Sequence, residues 1–315
     1  MSNTAISIII CTLNPRPDYL CRVLVSLKAQ TLSKEQWELL LIDNASKEPL
    51  AGQWDLSWHP HARHIREDEL GLTPARLRGI KESKGDLLVF VDDDNILAAD
   101  YLEQSLKIAD EFPKLGALGG SIKGEFEIPP PEWIKPYLAA IVVFELDRDY
   151  WSNMTDCSCG SWVIPYGAGF IIRRQVAEDY VRKTNANSLR KALGRNGISL
   201  GAGEDTDMAL CSVDLGFGFG RFKALKVTHI IPRVRLTPEY IVRLHAGFAF
   251  AAEVLKSIRP SSRQYKSPRW KEHIRLLINC VRASKMQRRI LLASDKAKME
   301  ARKHIASSLL SKQGP

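Results

Sequence analysis

A chain of 315 residues, 45% hydrophobic and 26% charged, exceeds a single ordinary core of about 100 to 200 residues, so one large α/β domain or a core with an appended region is expected. Its 20 Gly and 16 Pro are too few and too scattered for a collagen-like or low-complexity chain, and its longest apolar stretch, Leu138 to Phe144, falls far short of the roughly 18 to 20 residues of a membrane span. The net charge of +9 is unevenly held, since residues 256–315 carry 16 Lys/Arg against 3 Asp/Glu and residues 1–255 carry 29 against 33, which describes a mildly acidic body with a basic interaction segment rather than a nucleic-acid-binding core.

The start, Met1-Ser2-Asn3-Thr4, lacks a positive n-region, and Ile6 to Ile10 is too short for the apolar part of a signal peptide, so a cytoplasmic location is expected. Six cysteines then stay reduced. Cys157 and Cys159 are spaced like half of a zinc site, but no second pair accompanies them, and buried or loop thiols are expected.

In chain order, Ser7 to Ile10 is a short β-branched run, and Leu20, Val23, Leu24 and Leu27 follow at helical spacing: strand, loop, helix. Leu39 to Ile42 makes a second strand that ends at Asp43, before the turn formers Asn44-Ala45-Ser46. Thr73 and Pro74 supply an N-cap and an N1 proline for a helix to about Ser83, and Leu87 to Val91 is a third strand of the fully buried kind. Asp100 caps a helix bearing Leu102, Leu106 and Ala109, and Ala117 to Ile122 returns as a strand. Strands alternating with helices predict a mostly parallel, Rossmann-like sheet flanked by helices. Residues 123–165 have no steady period and are expected to be irregular and to face substrate. Periodicity resumes in Gly167 to Tyr180 and after Gly203, and from about residue 237 the chain reads as helical, with no internal repeat.

Two stretches carry chemistry. Leu87 to Val91 runs into Asp92-Asp93-Asp94. Side chains at i and i+2 of a strand point the same way, so Asp92 and Asp94 are expected to converge, with Asp93 on the other face, at the carboxyl edge where ligands of parallel sheets bind. Two carboxylates there suit Mg²⁺ or Mn²⁺ completed by water and phosphate oxygens; a solvated acidic turn is the competing reading. In Gly201-Ala-Gly203-Glu204-Asp205-Thr206-Asp207, glycines allow close backbone approach and carboxylates sit at a helix start, where capping alone would also explain them. Neither this segment nor Gly216-Phe-Gly-Phe-Gly220 fits a dinucleotide or Walker pattern.

The order of these pieces resembles the family 2 glycosyltransferases of GT-A fold, over about residues 5–245. The matching segments are Ile8-Ile-Ile-Cys-Thr-Leu-Asn14, Leu41-Ile-Asp43-Asn-Ala-Ser46, Ala75-Arg76-Leu-Arg78-Gly-Ile80, Phe90-Val-Asp92-Asp93-Asp94, Gly167-Ala-Gly169, Gly203-Glu204-Asp205 and His229-Ile-Ile-Pro232. The resemblance implies inverting sugar transfer from a nucleotide-sugar, UDP by family frequency, to a saccharide or lipid-linked acceptor. It implies that Asp43 reads the base, that Arg76 lies near the base or diphosphate, that Asp92 contacts ribose or sugar, and that Asn14, Asp93 and Gly169 belong to the substrate site. Asp94 would bind Mn²⁺ or Mg²⁺ with His229 completing the shell, and Asp205 would be the catalytic base beside Glu204. Leu77 departs from the pattern, since relatives often have Asn there.

Two rivals compete. A sugar-nucleotide pyrophosphorylase would carry a glycine-rich loop after the first strand, and Cys11-Thr-Leu-Asn-Pro15 has no glycine. A nucleic-acid-binding or scaffold protein led by the basic tail leaves both acidic clusters unexplained, so no nucleic acid is expected as a partner. The expected domains are residues 1–245 and a basic helical extension, 246–315. There Trp270, Ile274, Leu277, Ile278 and Val281 form one apolar stripe, expected either to dock on an anionic membrane surface or an acidic partner, or to pack on the domain itself or on a second subunit in a homo-oligomer.

Overall fold

The computed structural model describes residues 4–153, 163–195, 203–259 and 269–310; Cys157, Cys159, Gly201 and Ala202 lie outside them. The chain forms two compact units, residues 1–186 with 205–232, and residues 187–204 with 233–315.

The first unit is built on one nine-stranded sheet in the order β3-β2-β1-β4-β8-β6-β9-β5, with β7 beside β9. The strands are β1 (Ile6–Thr12), β2 (Trp37–Asn44), β3 (Ala62–Glu67), β4 (Leu87–Val91), β5 (Asn95–Leu97), β6 (Leu115–Phe126), β7 (Tyr150–Ser152), β8 (Phe170–Arg173) and β9 (Gly218–Ile231). Strands β1 to β4 pair in parallel. Beyond them β8 runs antiparallel to β4 and β6, β6 and β9 are parallel, and β5 and β7 are antiparallel to β9. The helices are α1 (Pro17–Lys28), α2 (Leu72–Glu82), α3 (Tyr101–Glu111), α4 (Arg174–Ala186) and α5 (Glu204–Asp214).

The period-2 alternation of a strand divides the core between the two faces of the sheet. Ile8, Ile10, Leu39, Leu41, Val89 and Val91 pack with Leu20 and Leu24 of α1 and Tyr101 and Leu102 of α3. Ile9, Leu40, Ile42, Leu88 and Phe90 pack with Ala75 and Ile80 of α2, Val176 of α4 and Met208 of α5. Apolar residues on both faces are why the parallel strands read as continuous apolar runs.

Several local expectations change. Helix α2 starts at Leu72, with Gly71 rather than Thr73 as its N-cap. The cause lies at the end of β2: Gly71 N donates to Asn44 Oδ1 at 2.8 Å, and the Asn44 amide donates to the Glu69 carbonyl at 2.7 Å. Leu87–Val91 is the fourth strand, because Ala62–Glu67 pairs with β2 although Ile65 is its one buried residue. Within 123–165, β6 runs on to Phe126, a 3₁₀ helix spans Glu132–Ile141 and β7 follows.

The second unit is helical: α6 (Pro238–Ile258), α7 (Arg269–Arg282) and α8 (Lys285–Leu310). Thr237 caps α6 by accepting from Tyr240 N at 3.3 Å, with Pro238 in the first turn. Ala251 and Val254 of α6 pack with Ala301 of α8, and Arg302 reaches Glu253 at 3.0 Å. Among the described residues no helix is long and apolar enough to cross a membrane.

Candidate active site

Parallel pairing lines up the carboxyl ends of three strands. Thr12 is in register with Asp43 and Ile10 with Val91, so the segments after β1, β2 and β4 leave the sheet at one edge.

The first two segments are tied to each other. Asn14 stands at φ 46°, in the left-handed region that asparagine tolerates; its N–H donates to Ser46 Oγ and its Oδ1 accepts from Lys47 N, both at 2.9 Å. Asp43 is buried and accepts from Ser46 N at 3.0 Å, Leu50 N at 3.1 Å and Arg66 Nη1 at 2.7 Å. Burial pushes its carboxyl up, but the bonds from Ser46, Arg66 and Leu50 outweigh burial and hold it below the usual carboxylate range.

Strand β4 stops at Val91, and Asp92-Asp93-Asp94 form a turn closed by Asn95 N donating to the Asp92 carbonyl at 3.1 Å. Strand alternation therefore does not govern their directions. Asp93 accepts a hydrogen bond from the Thr12 hydroxyl. Asp92 is part-exposed, with Oδ1 3.9 Å from Arg76 Nη2. Asp94 is buried, accepts from Asn95 Nδ2 at 2.8 Å, and lies with Oδ2 3.6 Å from His229 Nε2.

His229 reaches Asp94 because β5 pairs with β9, opposite Asn95. Its Nδ1 is 3.3 Å from the Val142 carbonyl. A carbonyl only accepts, so Nδ1 carries a proton, and Nε2 faces Asp94. Carboxylate oxygen beside imidazole nitrogen, with the far nitrogen held by a carbonyl, is a donor pair that would suit a divalent cation. The residues fit the metal.

Arg76, on α2, is buried, with its guanidinium 5.5 Å from the centre of the Phe90 ring. Asp205 lies in the first turn of α5, where Oδ1 accepts from its neighbour Thr206 N at 2.8 Å. Both border Gly167: a Cβ there would stand 3.2 Å from Asp205 Oδ2 and 3.6 Å from Arg76 Nη2. Asp92, Arg76, Gly167 and Asp205 thus form one constellation, and Asp94 with His229 a second that begins two residues past Asp92.

Gly169 is closely packed. At φ +66°, its Cβ would meet Tyr101 Oη at 2.7 Å and Val227 Cγ2 at 2.8 Å, and its carbonyl accepts from the Tyr101 hydroxyl, so it serves close packing. Glu204 opens α5 and is buried. Sequence reasoning missed three contributors, Thr12, Arg66 and Gly167. Gly167 and Thr12 stood in matching segments; Arg66 carries no signal before register is known.

Comparisons with known proteins agree with this architecture. Residues 7–181 match the family model "Glycosyl transferase family 2". EpsH of Bacillus subtilis (strain 168), provisionally named a glycosyltransferase, is 26% identical over 113 residues, 35% of this chain and 32% of that protein. An uncharacterized glycosyltransferase of Haemophilus influenzae (strain ATCC 51907 / DSM 11121 / KW20 / Rd) is 31% identical over 93 residues, 30% of this chain and 31% of that protein. The matches thus span about a third of each relative. Among solved structures, S. aureus TarS 1-349 is similar with a TM-score of 0.53 and 13% identity, over 95% of this chain and 92% of that one. The same protein in complex with UDP gives 0.52 and 15%, over 99% and 92%, and in complex with UDP-GlcNAc 0.53 and 13%, over 95% and 92%.

The fold is thus the mixed α/β GT-A type, and acidic side chains gather at its carboxyl edge. The chain belongs to glycosyl transferase family 2.

Proposed function

We propose that the chain transfers a sugar from a nucleotide-sugar, a UDP-sugar in the first instance, to a hydroxyl of a saccharide or lipid-linked acceptor with inversion at the anomeric carbon. The observation that carries this reading is Asp205 beside Arg76 across Gly167, with Arg76 in turn reaching Asp92. One anion, one cation and one further anion on the carboxyl edge of a parallel sheet suit a substrate that offers an attacking hydroxyl, a diphosphate and sugar hydroxyls. The structures of TarS with UDP and UDP-GlcNAc support the choice of donor class.

Arg76 stands where it balances the charge that develops on the departing diphosphate, and low exposure strengthens that interaction. Asp92 accepts hydrogen bonds from ribose or sugar hydroxyls. Asp205 takes the proton of the acceptor hydroxyl as its oxygen forms the new bond to the anomeric carbon; the old carbon–oxygen bond breaks on the opposite face, and its electron pair leaves with the nucleoside diphosphate. Asp94 and His229 would hold Mn²⁺ or Mg²⁺, which supplies charge neutralisation of the diphosphate. Asn14 and Asp43 shape the base pocket by tying the loops after β1 and β2. Asp93 acts through Thr12 to fix the acidic turn.

A thermal-shift screen against UDP-, GDP-, CMP- and dTDP-sugars, with and without Mn²⁺, tests the reading. Stabilisation by one nucleotide class that grows with Mn²⁺ is expected. A protein indifferent to all four, or one stabilised by a nucleoside triphosphate instead, would overturn it.

A further inference from the structure

Helix α7 turns its apolar side outward. Trp270, Leu277 and Val281 are 61%, 60% and 81% exposed, and Ile274 and Ile278 are exposed with them. The helix faces α8 through another strip: Glu272, half-buried, bonds Arg302 of α8 at 3.0 Å, and Leu276 and Cys280, four and eight residues on, are half-buried in line with it. At roughly 100° per residue, the five apolar residues span about a third of the circumference. Lys271, Arg275 and Arg282 form a row along one border of that stripe, and the Lys271 ammonium lies 5.4 Å from the centre of the Trp270 ring. The one acid of the helix, Glu272, is engaged by Arg302 on the side away from the stripe.

We infer that this face of α7 lies in the surface of an anionic phospholipid bilayer. An interfacial helix combines an apolar stripe that enters the acyl boundary, cations at its edge that meet lipid phosphates, and a Trp at the level of the headgroups. From Trp270 to Val281 the stripe is about 16 Å long, enough to lie in the interface and too short to cross it. The segment 256–315 holds 16 Lys/Arg against 3 Asp/Glu, so its charge matches an anionic surface. The same charge disfavours a second copy as occupant, because a two-fold contact through α7 would set like-charged borders side by side. The inference is independent of the proposed reaction.

Flotation of the full chain with vesicles tests it. Vesicles of phosphatidylcholine mixed with phosphatidylglycerol should carry the protein at low salt, those of phosphatidylcholine alone much less, and high salt should weaken the binding. The pair Leu277→Glu and Val281→Glu, both at exposed positions, should lower vesicle affinity by at least about tenfold with an unchanged melting temperature. Lys271→Glu with Arg275→Glu should lower it while flattening the salt dependence. No flotation with anionic vesicles at low salt would overturn the inference, as would undiminished binding of the Leu277/Val281 variant. A dimer in ultracentrifugation that this variant splits, without vesicle binding by the wild type, would assign the face to a second copy instead.

Discussion

At Gly169 the backbone stands at φ +66°, and the space a side chain would fill belongs to Tyr101 and Val227. Gly169→Ala is therefore expected to cost about 2 to 4 kcal/mol, from left-handed strain and overpacking together, read by chemical denaturation. His59 tests the acid limb of stability. Its ring centre lies 3.9 Å from that of Trp37 with the planes tilted by 57°, and its Nδ1 accepts from His61 N at 3.1 Å, so the folded state holds it neutral. Burial first, then the charges of His61 and Lys34, push it down to about 4. The unfolded chain, with an ordinary value near 6.5, takes up a proton that the folded chain refuses, so stability falls as pH drops from about 6.5 to about 4 and levels below that. Melting temperatures across this range should decline less steeply for His59→Gln than for the wild type; parallel curves would show that other groups govern acid lability. Asp43 acts in the same direction at lower pH. Its depressed carboxyl stabilises the fold above the ordinary carboxylate value of about 3.9, and that contribution disappears as pH falls through the lower folded value.

At the scale of elements, α5 carries the catalytic assignment. Its first turn holds Asp205 beside Arg76 across Gly167, whereas Glu204 is buried. Asp205→Asn should reduce turnover by about 10² to 10⁴ while leaving donor affinity nearly unchanged, since a general base acts on the acceptor proton. Glu204→Gln should retain more activity. Near-normal turnover by Asp205→Asn would move the base elsewhere on this helix. Helix α5 was legible because a carboxylate cluster stands before an apolar run, and β1, β2 and β4 because parallel strands buried on both faces write themselves as apolar runs. Strand β3 was not legible: Ala-Arg-His-Ile-Arg-Glu buries one side chain, and its pairing with β2 makes it a strand. Strand β9 hides for a similar reason, since Arg221, Lys223 and Lys226 interrupt a run whose length is set by pairing with β6.

For the whole molecule, the acidic clusters named the chemistry, but their geometry came from topology. Asp92 to Asp94 could be singled out as three adjacent carboxylates, yet which of them meets which partner depends on a turn, not on strand alternation. Asp93 goes to Thr12, Asp92 to Arg76 and Asp94 to His229, more than a hundred residues away in sequence. The same limit applies to the basic tail: the stripe of α7 is visible in its spacing, whereas the side on which it faces solvent is set by Glu272 and Arg302.

The division of labour within Asp92-Asp93-Asp94 is the most direct test of the central claim, that a nucleotide-sugar binds at this edge with its diphosphate on a metal held by Asp94 and His229. Calorimetric titration of UDP, with and without Mn²⁺, into the wild type and the Asp94→Ala, His229→Ala and Asp93→Ala proteins measures it. The account predicts that Mn²⁺ tightens UDP binding by at least about tenfold in the wild type, that Asp94→Ala abolishes this gain and His229→Ala reduces it, and that Asp93→Ala largely keeps it. A gain from Mn²⁺ that survives Asp94→Ala, or is lost equally in Asp93→Ala and Asp94→Ala, would contradict the account.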